Sequence, residues 1–454
     1  MRSLLGRFHR PMSRGAMGDM LTMNSLGDGS TLNLDFTTGV LDSRLTFTRS
    51  TTATYINSSG YVTSAAINAP RFDYSPTNTG EPRGLLIEGQ TSNILSYSTE
   101  TSNAYWQKYL CTISGTLAYA PDNTTSARLV IEDSGSVEPS LQRTSNTVDI
   151  SSAYTLSVWF KAPTSNARRY MNLRINDNSS NANAASLMFD SQTGTISGAA
   201  TAYGTITAAS GNVVPYPGSW YRVSLTFTIP ASGITQIACK FQMSGAGTRT
   251  GDGSASPYTG DGVSGMYVWG TQLEKGSGAS SYIPTGASTV TRTLDTAIIA
   301  AGTNFSSWYT GGTTGTFVTE WCRCSLTTTQ RTVIATNDLP NQHLHQYIAA
   351  TTSRLRLADN VPAFIETANA SVNNSINKGA FSYAGSVQSL CLNGGTVVPG
   401  TLTFTTAPTW LSIGGPSNNG TSITDTAVVL NNAIRKIKYF PARLSDAQIK
   451  EITT

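Results

Sequence analysis

The chain has 454 residues, 39% hydrophobic, 9% aromatic and 12% charged, with 41 glycines and a formal net charge of +4. That length corresponds to about three domains of ordinary size, or two with extensions, and the apolar content can build sizeable cores, which excludes wholesale disorder. The near-neutral balance gives no global field for a nucleic acid partner, and no run approaches the roughly 18 apolar residues of a membrane helix.

The first 18 residues, "MRSLLGRFHRPMSRGAMG", carry Arg2, Arg7, Arg10 and Arg14 and no acid. Three readings stay open from composition: an extended basic arm docking on an acidic partner, a targeting peptide, or a solvated terminus. Strands follow. "TLNLDF" and "LTFTRSTTATYI" alternate with period two, and "GYVTSAAINAPRFDY" leads into a segment unlike its surroundings. Residues 70–90 crowd Arg71, Asp73, Glu81, Arg83 and Glu88 between Pro70, Pro76 and Pro82. Proline restricts the backbone and removes a donor, Gly84 and Gly89 permit close approach, and Leu85, Leu86 and Ile87 offer an apolar plug. The segment reads either as a docking connector or as a loop with surface ion pairs, which contribute little.

A longer series of strands starts near residue 93: "SARLVIE", "YTLSVWFKA", "RYMNLRIND", "ASLMFDSQTGTIS", "WYRVSLTFTIP", "TQIACKFQM" and "MYVWGTQLE". The turn segments "PDNT", "QTG", "YPGS" and "PASG" separate them. Short alternating strands without helical patterns between them predict an antiparallel β-sandwich. A second all-β series runs from about 312, and "LSDAQIKEIT" closes it as a short helix. Ser445 is its N-cap, Gln448 completes a capping box, and Leu444 and Ile449 form a hydrophobic staple.

Alternation assigns faces. In "YTLSVWFKA", Tyr154, Leu156, Val158 and Phe160 point one way and Trp159 and Lys161 the other. In "WYRVSLTF", Trp220 and Arg222 oppose the apolar set; in "RYMNLRIN", Tyr170 and Arg174 do. Trp159, Lys161, Tyr170, Arg174, Trp220 and Arg222 are therefore expected away from the core. There they serve sugar stacking, a subunit interface, or a covering loop. On this reading, truncating Trp159 leaves folding stability almost unchanged.

Catalytic signals are thin. His343 and His345 share a strand face but have no third ligand at metal-site spacing. No nucleophile-elbow, zinc-protease or phosphate-loop motif occurs. Asp252 and Asp261, in two Gly-Asp-Gly turns, are weak calcium candidates; tight turns explain the glycines equally well. Cys111, Cys239, Cys322, Cys324 and Cys391 are expected to be reduced and mostly packed. No cofactor and no enzymatic activity is expected.

The stretch "FTRSTTATYINSSGYVTSAAINAPRFDYSPTNTGEPRGLLIEGQTSNIL" resembles a module of tailed-bacteriophage virion proteins, as do "YTLSVWFKA", "WYRVSLTFT" and "VWGTQLEKGSGASSYIPTGASTVTR". "IRKIKYFPARLSDAQIKEIT" looks like the closing strand and helix of laminin-G or concanavalin-like sandwiches in such proteins. The resemblance covers most of 34–295 and, less specifically, 312–454. It implies an all-β virion protein of fibre, spike or decoration type, with tandem jelly-roll sandwiches. Such proteins often bind host-surface glycans and often form homotrimers. The expected layout is an arm (1–33) for particle attachment, a β-rich attachment and connector region (34–92) and a carbohydrate-binding-like jelly roll (93–290). A linker (291–311) and a concanavalin-like sandwich (312–454) follow. Arg2, Arg7, Arg10, Arg14, Arg71, Arg83 and Glu88 are the expected particle-docking residues. A decoration or head-fibre protein without a ligand, and a polysaccharide depolymerase, are the alternatives.

Overall fold

The computed structural model describes residues 29–323, 330–336, 344–348, 354–360, 363–370, 372, 375–401, 407–417, 419–424 and 428–454. Arg2, Arg7, Arg10, Arg14, Cys324 and His343 lie outside the described residues, as does the side chain of His345. The rest is all-β: antiparallel strands stacked as two sandwiches.

The two sandwiches are nested. The outer one has an eight-stranded sheet in which Asn432–Phe440 is central. It pairs with Thr314–Arg323 on one side and with Pro82–Ile87 and Leu32–Asp35 on the other. The facing sheet contains Thr46–Thr48, Thr296–Ile299, Leu411–Ile413 and Gln330–Thr336. The inner sandwich is built from residues between these strands. One sheet runs Thr207–Tyr216, Trp220–Thr228, Ala153–Lys161, Gly265–Lys275, Thr125–Glu132, Cys111–Tyr119. The other includes Ala184–Asp190, Tyr170–Asp177, Gln236–Ser244 and Ser140–Thr147.

This corrects the expected boundaries. Residues 34–92 are not a separate connector: Thr46–Thr48, Phe72–Tyr74 and Pro82–Ile87 belong to the two sheets of the outer sandwich, and Ala53–Ile56 pairs with Val62–Ala65 as a hairpin. Nor is 291–311 only a linker. It supplies Thr296–Ile299, then a short helix, Thr303–Ser306, that places Phe305, Trp308 and Tyr309 in the outer core. An inserted domain hides in a linear reading because pairing partners lie hundreds of residues apart, beyond any local pattern.

The apolar periodicity is used as read. Leu156, Val158, Phe160, Leu225 and Phe227 enter the inner core with Leu173, Phe189 and Phe241. Leu85 and Ile87 enter the outer core, each completely buried, which stabilises by about 1.5–3 kcal/mol apiece. Pro82 opens its strand, where no ladder donor is needed. Gly84 sits at φ 104° with the Ile434 carbonyl against it; a Cβ there would lie 2.1 Å from that oxygen. Only glycine permits this approach. The closing helix, Asp446–Ile452, has the expected capping box: the Gln448 amide N–H donates to Ser445 Oγ at 3.3 Å and the Ser445 N–H to Gln448 Oε1 at 2.9 Å. Leu444 and Ile449 pack in one cluster beneath it. Cys111, Cys239, Cys322 and Cys391 are free and buried.

Candidate binding cleft between the two sandwiches

The charged segment at 70–90 forms the joint. Arg71 is fully buried. Its guanidinium donates to Glu88 Oε2 at 2.6 Å, Thr54 O at 2.8 Å, Ser281 Oγ at 2.9 Å, and to Asp295. Arg49 donates to Asp295 Oδ1 at 3.1 Å and to the carbonyls of Thr51 and Ala66. Arg292 lies 3.0 Å from Glu88 and donates to Gly89 O at 2.8 Å. Glu88 also accepts from the Ser281 amide and hydroxyl. The guanidiniums outnumber the carboxylates; backbone carbonyls take some of the surplus donors, while the Nε groups of Arg71 and Arg292 have no hydrogen-bond partner among the described residues. Burial alone would raise the Glu88 carboxyl; Arg292, Arg71 and the Ser281 donors more than reverse this and hold it at about 2. Both chain crossings between the sandwiches, 88–93 and 276–295, are thus clamped at one point.

Arg71 and Glu88 are therefore not available for particle docking, contrary to the sequence expectation: both are spent inside the chain. Arg83 is half-buried and stands 4.0 Å from Asp73.

The outer face of the six-stranded inner sheet is also largely covered. Trp159 is fully buried, Trp220 2% and Arg222 9% exposed; on the other sheet Arg174 is fully buried. Lys161 and Tyr170 are half-buried. The alternation placed Trp159 and Trp220 on the correct side; of the three readings, the covered one matches the structure and the two displayed ones are corrected. The hairpin of Ala53–Ile56 and Val62–Ala65 and the stretch 276–283 cover them. Val62, Trp159, Trp220, Trp269 and Tyr282 make a second apolar cluster. A bulge at Gly270 shifts the register so that Trp269 falls opposite Trp159. Gly270 has φ 64°, and a Cβ would meet the Trp159 ring at 2.7 Å, so the bulge is what makes room for the indole. Arg174 is used by Asn176, the Asn181 carbonyl and Asp252.

Beside this cluster the covering is incomplete. A cleft of about 360 Å³ opens between the inner sheet, the hairpin and the outer sandwich, lined among others by Asp73, Arg83, Asn212, Tyr216, Arg222 and Thr226. Its inner wall is the exposed end of two polar rungs fixed by strand register. Asn212, Ser224, Ser157 and Gln272 form one; Ser210, Thr226, Thr155 and Glu274 form the next. Cross-strand partners share a face; Ser210, Asn212, Ser224 and Thr226 line the cleft, while Ser157, Gln272, Thr155 and Glu274 are buried and bonded within the chain. Trp159 and Tyr216, edge-to-face at 5.5 Å, bound one end, and Arg222 lies 4.4 Å over the Trp159 ring. Arg222 donates to Ser280 O at 2.7 Å and Ser157 Oγ at 3.1 Å. Burial pushes the Asp73 carboxyl up to about 6, against Arg83 and the Ile56 N–H that donates to it at 2.7 Å. Burial likewise raises Glu274, against the Ser280 hydroxyl and Arg222.

The calcium candidates are committed elsewhere. Asp252 accepts from Thr250, Ser254 and Arg174. Asp261 accepts from the Val263 and Ser264 amides and the Ser264 hydroxyl. Among the described residues, no group of three or more His, Cys, Asp or Glu is placed to hold a metal, and no helix is long and apolar enough to cross a membrane.

Sequence reasoning missed Arg49, Arg292, Asp295 and the rung residues. A signal existed for the first three: they are rare charges in Ser/Thr-rich stretches beside or within strands, and a buried charge needs a partner. The rungs had none, since Ser and Thr are common throughout.

No family model matches the chain, and no curated protein matches it. Solved structures match parts of it weakly. The CBM40 of a Ruminococcus gnavus IT-sialidase, bound to α2,3-sialyllactose, is 18% identical over 31% of this chain and 83% of its own, with a TM-score of 0.26. Domain 4 of the Geobacillus stearothermophilus arabinanase AbnA, in complex with arabinotriose, is 14% identical over 39% of this chain and 82% of its own, at 0.28. A Trypanosoma rangeli sialidase, in complex with sialic acid, is 10% identical over 72% and 60%, also at 0.28. Similarity at this level carries no ligand over to the present protein.

Proposed function

We propose that the chain is a structural protein of a tailed-phage virion, of the tail-fibre or spike type, attaching to the particle through its N-terminal arm and recognising a host-surface glycan. The sequence resemblance supplies the class. The observation that carries the reading is the clamped, nested joint. The N-terminal strand Leu32–Asp35 belongs to the outer sandwich, and the inner sandwich is held on it by two crossings locked with buried ion pairs. A chain anchored at its N-terminus would present the inner sandwich on a stiff mount.

The protein acts by binding rather than hydrolysis. Glycoside hydrolysis requires two carboxylates able to reach the sugar, about 5–9 Å apart. Of the carboxylates lining the cleft, Glu88 is saturated by Arg71, Arg292 and Ser281, and Asp73 caps the hairpin. This supports recognition over cleavage.

The test has two arms. A chain lacking residues 1–28 should fold as both sandwiches and fail to enter virions, and the full chain should release no new reducing ends from host polysaccharide. Normal incorporation of the truncated chain, or sustained release of reducing ends, would refute the corresponding half.

A further inference from the structure

We infer that the cleft between the sandwiches is the saccharide site and that it takes an uncharged glycan segment. The inference rests on the proposed glycan recognition and adds its place and ligand class. Three observations carry it.

First, the wall is made of the right groups. The cross-strand pairs Asn212–Ser224 and Ser210–Thr226 set three hydroxyls and an amide on adjacent strands of one face. Sheets of this kind are expected to turn such a face to open water, but here it faces a cleft closed on the far side by Asp73, Arg83 and Asn432 of the outer sandwich. Enclosure matters because hydroxyl-to-hydroxyl contacts compete poorly with bulk water and gain when water is excluded.

Second, the cleft contains aromatic surface beside polar groups. Tyr55 and Tyr216 line it and are half-buried, with the Trp159 ring behind them. A sugar ring presents C–H groups on its faces and hydroxyls around its rim, so it needs apolar and polar surface side by side.

Third, the charged groups in and around the cleft already hold partners. Arg83 faces Asp73, Arg222 is held by the Ser280 carbonyl and the Ser157 hydroxyl, and Glu88 is matched by Arg71 and Arg292. An acidic sugar would have to draw one of these arginines away from the partners it already holds, whereas an uncharged one leaves those contacts intact. The volume, about 360 Å³, is at the small end for ligand sites, which suits a terminal or short internal segment and not a long chain lying along a groove.

The experiment uses the full chain on a printed array of neutral hexose oligosaccharides and uronic-acid-bearing oligosaccharides. It compares wild type with Ser210→Trp, which plugs the cleft mouth from an exposed strand position, and with Asn212→Ala. Wild type should bind neutral members. Ser210→Trp should abolish that binding with an unchanged melting temperature, and Asn212→Ala should weaken it about tenfold, the scale of one lost ligand hydrogen bond. Undiminished binding by Ser210→Trp overturns the site while leaving glycan recognition standing. Binding confined to uronic-acid members overturns the ligand class. If wild type binds neither set, glycan recognition falls, and this site with it.

Discussion

Replacing Trp159 by Ala is expected to destabilise the protein by about 3–5 kcal/mol, the cost of truncating a large buried aromatic. The indole is fully buried and meets Tyr216, Trp269 and Tyr282 edge-to-face at 5.3–5.5 Å, with Arg222 over its face. The room for it is provided by Gly270, whose bulge has no other evident purpose. Its removal should leave a cavity that cannot collapse, because the hairpin above is held by Arg71 and Asp73. Equilibrium urea unfolding of the full chain, followed by tryptophan fluorescence, measures this. A loss under about 1 kcal/mol, the level of an ordinary surface substitution, would mean that the hairpin does not seal the face and that the sequence expectation of a displayed indole holds after all.

The second large effect concerns the joint. Asp295→Ala removes the carboxylate shared by Arg49 and Arg71 and leaves two buried guanidiniums facing each other. Breaking a buried pair from one side costs about 3–5 kcal/mol, mostly as the penalty of the uncompensated charge. The same joint contributes to the acid behaviour. Glu88 is held near 2 in the folded chain against an ordinary 4.5, so its contribution is fully present above pH 4.5 and is lost as pH falls from 4.5 towards 2. Stability measured by urea midpoints should drop across that window, and a Glu88→Gln chain, weaker at neutral pH, should show a shallower drop. Equal slopes for the two would show that the acid response arises elsewhere.

How much of this was legible in the sequence depends on range. Period-two patterns assigned the inner faces of the long strands correctly, because alternation is a local property of the chain: Leu156, Val158 and Phe160 are in the core as read. The capping box at Ser445 and Gln448 was legible for the same reason. Exposure was not. Trp159 is off the main core but under a hairpin about a hundred residues earlier, and no local rule says what covers a sheet. The charged segment was correctly singled out as unlike its surroundings, yet it is part of the outer sandwich, and its partners Arg49, Arg292 and Asp295 are brought to it only by the nesting. The cleft was invisible because its wall is assembled from Ser, Thr and Asn on separate strands, each unremarkable alone.

The proposed role is tested most directly by an electron cryomicroscopy image of the assembled particle, at a resolution sufficient to place the two sandwiches. The expected result is the outer sandwich next to the particle, with density leading from Leu32 into it, and the inner sandwich farther out with the mouth of the cleft open to solvent. An inner sandwich packed against the particle, with the cleft occluded and the N-terminal strand pointing away, would contradict the account.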